Sequence, residues 1–235
     1  MQLRHILIIF SLVLITFSCR KEDIDTLTVE GMVRDDASKK PIAGISISID
    51  GIKSPSGIGI ITDGKRETVG KTKTDANGYY KAKLKVFNEA ERLEFYLNPG
   101  KLKEGYVDQQ QNISLSDIKS GNNKLDFTLS PTTLLNIKFK NTSPVSDSDF
   151  FYFSWYANGN GWTKGIIQKD NCGTVTASEA LTWTGKDVCG TFTVETIVEQ
   201  YTHVYWTTKK SGVTKQYRDS VFVKRGIINE FPLNY

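Results

Sequence analysis

Histidine and cysteine are scarce. Two histidines and three cysteines in 235 residues leave little material for a His/Cys metal centre or for histidine-based catalysis. Charge of one sign is missing as well. Thirty Lys and Arg against 26 Asp and Glu give a net +4, too mild and too evenly spread to form the basic stripe of a nucleic-acid binder. Nucleic acid is therefore not expected as a partner. What the chain does have is a 39% hydrophobic and 11% aromatic content. That excludes a disordered tail and a polytopic membrane protein, and is enough for one large or two small globular units.

The N-terminus carries an export signal. Arg4 and His5 precede Ile6 to Phe17, which is apolar apart from Ser11 and Thr16, the order of a secretory n-region and h-region. The run is shorter than the roughly 20 apolar residues a bilayer span needs. It ends at Ser18-Cys19 and turns polar at Arg20-Lys21-Glu22-Asp23. This junction resembles a bacterial lipobox, with Thr16 and Phe17 where Leu and a small residue are usual, the relaxed form found in lipoproteins of the Bacteroidetes type. The resemblance implies a signal peptide over 1–18, lipidation at Cys19, a tether over 19–26 and a membrane partner through the lipid anchor in the outer membrane. Several acyl chains on one cysteine make such an anchor stable. Lys21-Glu22-Asp23 is similar to the motif that sends such lipoproteins to the cell surface; a periplasmic face and an ordinary signal peptide are the alternatives.

With Cys19 lipidated, Cys172 and Cys189 remain as an even pair in an oxidising compartment, which predicts a disulfide. They lie 17 residues apart, and closing a loop of that length contributes roughly 3 kcal/mol.

Period-two alternation dominates the rest of the chain. Leu27 to Val33 reads as a half-buried strand, and Ile45, Ile47 and Ile49 alternate with Ser46, Ser48 and Asp50, which excludes a helix there. Asp75-Ala76-Asn77-Gly78 between Thr72-Lys73-Thr74 and Tyr79 to Leu84 predicts a hairpin, since Asn-Gly supplies positive backbone angles. Arg92 to Leu97 and Lys124 to Leu129 add two more strands. Gly31-Met32-Val33-Arg34-Asp35, Pro41 to Ile47 and Thr74 to Tyr80 resemble the carboxypeptidase regulatory-like domain. That likeness implies a transthyretin-like sandwich of about seven strands over 27–130, with no active site of its own. Ala37 to Lys40 and a glycine-rich insertion over 51–67 depart from the family pattern.

Ser130-Pro131-Thr132-Thr133 reads as a linker. Beyond it, Leu134 to Lys140, Phe150 to Tyr156, Thr191 to Val198, Tyr201 to Thr208, Gln216 to Val223 and Ile227 to Leu233 read as strands of a second, immunoglobulin-like sandwich over 131–235. Alternation puts Phe151, Phe153 and Trp155 on one face of their strand and Phe150, Tyr152 and Tyr156 on the other. Only one apolar face is needed for a core, so the surplus could stack on sugar rings or bury against a partner. Tyr201, His203 and Tyr205 form a similar row opposite Val204 and Trp206. Trp162 and Trp183 lie in a glycine-rich stretch, where loop tryptophans either touch ligands or plug a sandwich end.

Other chemistry is thin. Asp35-Asp36 and Asp147-Ser148-Asp149 offer hard oxygens but lack the glycine and distal glutamate of a calcium loop. After processing, His203 is the only histidine, with no acid or serine at a telling spacing. The sequence thus predicts an all-β, non-catalytic envelope lipoprotein without cofactor or metal. Its expected role is binding or adhesion, with a glycan or envelope protein held by Tyr152, Trp155, Trp162 or Trp183. A structural spacer or subunit of an outer-membrane complex is the alternative.

Overall fold

The computed structural model describes residues 25–55, 64–101, 103–157, 169–171 and 182–235. Cys19, Trp162 and Cys172, and the expectations attached to them, lie outside the described residues. The protein is all-β, with sixteen strands among the described residues and helix limited to two single 3-10 turns. Two compact units divide the chain. One comprises residues up to Arg34, Lys40–Lys103 and Asp108–Thr128; the other comprises Asp35–Lys39, Glu104–Val107 and Leu129–Tyr235.

The first unit contains β1 (Asp25–Asp35), β2 (Ser46–Lys53), β3 (Lys65–Lys73), β4 (Tyr79–Val86), β5 (Arg92–Leu97), β6 (Gln109–Ser114), β7 (Gly121–Lys124) and β8 (Phe127–Leu129), apart from the last residues of β1 and β8, Asp35 and Leu129. One sheet runs β4-β1-β7 with β8 also on β1, and the other runs β3-β2-β5-β6. The alternation seen in the sequence decides which residues meet: Val29, Val33, Ala82 and Leu84 come from the first sheet, and Ile47, Ile49, Leu93, Phe95 and Leu97 from the second, all buried. Phe127 joins the layers, its ring 5.1 Å from Phe95 and 5.9 Å from Tyr80.

The hairpin expected at Asn77-Gly78 does not form. β3 pairs with β2 and β4 pairs with β1, so the turn arches from one sheet to the other. Its local chemistry is nonetheless that of a tight turn: Gly78 has φ +74°, and Asp75 Oδ1 accepts from the N–H groups of Asn77 and Tyr79 at 2.8 and 2.9 Å. Thr74 braces the crossing. Its buried hydroxyl accepts from the Ile45 N–H and donates to the Ile42 carbonyl, both at 2.8 Å. This ties the end of β3 to the chain entering β2 and leaves β4 free for β1. A Cβ on Gly78 would lie 2.7 Å from that of Pro41, so close approach as well as backbone angle reserves the position for glycine.

The second unit contains β9 (Thr132–Lys140), β10 (Phe150–Ala157), β11 (Lys169–Asn171), β12 (Thr182–Thr184), β13 (Cys189–Ile197), β14 (Gln200–Lys210), β15 (Val213–Val223) and β16 (Asn229–Asn234). Its sheets run β12-β10-β14-β15 and β11-β13-β9-β16. Between them lies an aromatic core of Phe139, Phe151, Phe153, Trp155, Trp183 and Phe192. Trp183 stacks on Phe153 at 5.5 Å and lies 4.5 Å from Phe139.

The stretch Ser130 to Thr133 is no loose linker. Ser130 and Pro131 are buried and Thr132-Thr133 already belong to β9. The carbonyls of Ser130 and Pro131 accept from the N–H groups of Val107 and Val198 at 3.1 and 3.0 Å. Pro131 fits because its missing N–H falls just before the strand.

Candidate binding face

β10 and β14 pair antiparallel over their full overlap, Phe151 opposite Thr208 and Trp155 opposite Val204. β14 pairs in turn with β15, Tyr201 opposite Phe222 and Tyr205 opposite Arg218, without a register shift. Since Phe151, Phe153, Trp155 and Val204 fill the core, the alternate residues must all emerge on the outer face. There Phe150, Tyr152 and Tyr156 of β10, Tyr201, His203 and Tyr205 of β14, and Phe222 of β15 share one surface. Tyr152, Tyr201, Tyr205 and Phe222 are each 37–51% exposed. Tyr152 is the diagonal neighbour of Tyr205 across the β10–β14 pair, roughly 7–8 Å away, while Tyr201 packs edge-on against Phe222 at 5.3 Å. Polar groups interleave with the rings: Arg218 lies opposite Tyr205, and Ser220 opposite His203. Such a face offers apolar ring surfaces and hydrogen-bonding groups side by side.

The expected site residues separate accordingly. Tyr152 is on the face. Trp155 and Trp183 are not: they are 7% and 2% exposed, because both point between the sheets, and they serve packing. The expectation that they contact a ligand is corrected on that ground. Trp183 comes from a short strand beside β10, Phe151 opposite it, so a residue that reads as a loop tryptophan is a core plug. Its indole N–H has no hydrogen-bond partner among the described residues. The alternation of Gln216 to Val223 puts Arg218 and Phe222 on one side of their strand, but only the pairing with β14 brings them beside Tyr205 and Tyr201. Cys189 stands at the start of β13; Cys172 lies outside the described residues.

Of the acidic candidates, Asp149 and Asp35 are engaged internally, whereas Asp36 and Asp147 are exposed and pair with Lys39 and Lys186 at the surface. Asp149 is buried and accepts from the N–H groups of Val145 and Ser146 and from Asn141 Nδ2 at 2.8, 3.1 and 3.1 Å. Burial raises its pKa, but these donors outweigh it and hold the carboxyl below its ordinary value. Asp35, also buried, accepts from the Ser38 N–H at 2.7 Å, from the Tyr106 hydroxyl at 3.1 Å and from the Arg225 guanidinium. Neither is presented as an open ligand, and no cluster of three or more His, Cys, Asp or Glu able to hold a metal occurs among the described residues.

In the first unit, Glu94 on β5 is buried beneath Arg66, Arg92 and the Tyr96 hydroxyl at 2.7, 3.3 and 2.6 Å. Asp50 beside it accepts from Arg66 and Thr68. This is a closed polar network. His203 has no hydrogen-bonded carboxylate among the described residues, and no helix there is long and apolar enough to cross a membrane.

No family model and no curated protein matches the sequence. Among solved structures, the chain is similar to a streptococcal ancillary pilin at 15% identity and TM-score 0.36, covering 91% of this chain and 63% of the pilin. It is similar to the shaft pilin SpaA of Lactobacillus rhamnosus GG at 13% identity and TM-score 0.33, covering 89% and 97%. A third is the major pilin SpaD of Corynebacterium diphtheriae, at 14% identity and TM-score 0.32, covering 85% and 64%. The chain thus spans less than two thirds of the ancillary and SpaD pilins. Similarity this distant carries no argument about activity.

Proposed function

We propose that the protein is a non-catalytic cell-envelope lipoprotein that binds a glycan through the outer face of β10, β14 and β15. The observation that carries this reading is the gathering of Tyr152, Tyr201, Tyr205 and Phe222, all substantially exposed, on one sheet face with Arg218 and His203 among them. Aromatic faces stack on the apolar C–H faces of sugars, and neighbouring polar groups supply orientation. Lipidation at Cys19 supplies the membrane anchor in this proposal and places the face outside the outer membrane. A Cys172–Cys189 disulfide closes the segment leading into β13.

The test is binding of the intact, detergent-solubilised protein to a broad glycan array. Tyr205→Ala and Tyr201→Ala are the probes; Tyr79→Ala, on an exposed tyrosine of the first unit, is the control. A signal lost in both probes and kept in the control supports the reading. Silence across the array, or a signal that survives both probes, rejects it and favours a structural subunit.

A further inference from the structure

A strand at the edge of a sheet presents a row of unpaired N–H and C=O groups, and proteins blunt such edges with charge, proline, bulges or brevity. Most edges among the described residues carry such a device. β4 exposes Lys81, Lys83 and Lys85. β3 is rich in Lys and Arg and shifts register against β2 beside Asp50. β16 contains Pro232. β7, β8, β11 and β12 have only three or four residues each, and β6 has six. β15 differs. It runs eleven residues without proline, pairs with β14 throughout without a shift, and has no strand on its other side among the described residues. Val213 to Asp219 are exposed whichever face they point to, Val213 at 57% and Tyr217 at 41%.

The free edge is also competent to pair. The two-residue turn Ser211-Gly212, both at positive φ, makes Lys210 and Val213 a hydrogen-bonded pair. By alternation, the odd-numbered residues of β15 spend their backbone groups on β14, while Thr214, Gln216, Arg218 and Ser220 turn theirs outward.

We propose that β15 pairs antiparallel with β15 of a second copy of this chain, about a two-fold axis at Tyr217. The sequence of the strand identifies the occupant. In this register Lys215 lies opposite Asp219 of the other copy, twice by symmetry. Val213 lies opposite Val221, Thr214 opposite Ser220 and Gln216 opposite Arg218, so no like charges oppose each other. Shifting the axis to Arg218 sets arginine against arginine, and shifting it to Asp219 or Lys215 sets like charges together; an axis at Gln216 leaves Val213 against Asp219. The Tyr217 register also sets the outward backbone groups of Gln216 and Arg218, and of Thr214 and Ser220, against each other. An axis perpendicular to the sheet makes one continuous eight-stranded sheet from two of four strands.

Cysteine trapping in cells carrying the full-length protein tests this directly. Tyr217 faces its own copy in a non-hydrogen-bonded pair, whose Cα separation of about 4.5 Å lies within disulfide range. Tyr217→Cys should therefore give a reducible band of twice the monomer mass, and Arg218→Cys, which faces Gln216, should give about tenfold less. In the Tyr217→Cys background, Lys215→Asp or Asp219→Lys should each lower dimer yield by about tenfold, and the double swap should restore it. Absence of the dimer, equal trapping at 217 and 218, failure of the double swap to restore yield, or a cross-linked band of another mass would each overturn the proposal.

Discussion

Tyr152 and Phe153 are neighbours in sequence with opposite surroundings, one 37% and the other 2% exposed. The period-two rule separates them, and it was legible. Trp183 was harder to read, because a tryptophan among glycines gives no alternation from which to judge its side, whereas the alternation around Trp155 already set it beside Phe151 and Phe153. Trp183 lies in a three-residue strand, too short to show a period, and its core role becomes visible only through Phe139, Phe151 and Phe153 around it. Trp183→Ala should therefore cost about 3–5 kcal/mol of stability, as large-to-small changes of buried aromatics do. Tyr205→Ala, on the outer face, should change stability by no more than about 1 kcal/mol. Urea denaturation followed by circular dichroism measures both, and similar losses for the two would contradict the division between core and face.

Among elements, the strands themselves were largely legible: Arg92–Leu97 was read to the residue. Their partners were not. Turn chemistry at Asp75 to Gly78 is identical whether the flanking strands pair or part, and the bonds of Thr74 that brace the crossing reach Ile42 and Ile45 some thirty positions away. The polar network on the outer face of β2, β3 and β5 is a product of the same long-range pairing, Asp50 opposite Glu94, and no local pattern announces it. It should make the first unit lose stability in acid. Burial pushes the Glu94 carboxyl up, but hydrogen bonds from Tyr96 and Arg66 outweigh it and depress the folded value. A depressed carboxyl contributes stability above its unfolded pKa of about 4.3 and loses it as pH falls through the folded value. Glu94→Gln should thus cost about 1–3 kcal/mol at pH 7 and flatten the acid side of the stability profile. All four tryptophans, at 155, 162, 183 and 206, follow the first unit in the chain, so hydrogen exchange at the Leu93 and Phe95 amides, not tryptophan fluorescence, is the measurement. An unchanged pH slope would show that Glu94 does not govern it.

At the scale of the whole molecule, the two proposals meet on the same sheet. Even-numbered residues of β15 point to the outer face and odd-numbered ones to the inner, so a perpendicular two-fold axis at Tyr217 leaves the aromatic faces of both copies on one side. Two such faces held together turn a second binding event into an intramolecular one, and avidity of this kind amplifies affinity by about 100-fold or more without any new contact. Lys215 lies off the aromatic face, which makes it a clean lever: Lys215→Asp should leave the affinity for a free monovalent saccharide unchanged and lower retention on a dense glycan surface by about 100-fold. Surface plasmon resonance against the same sugar, immobilised and in solution, reads both. Equal losses in the two formats would place Lys215 in the site itself, whereas no loss in either would mean that pairing through β15 does not serve binding.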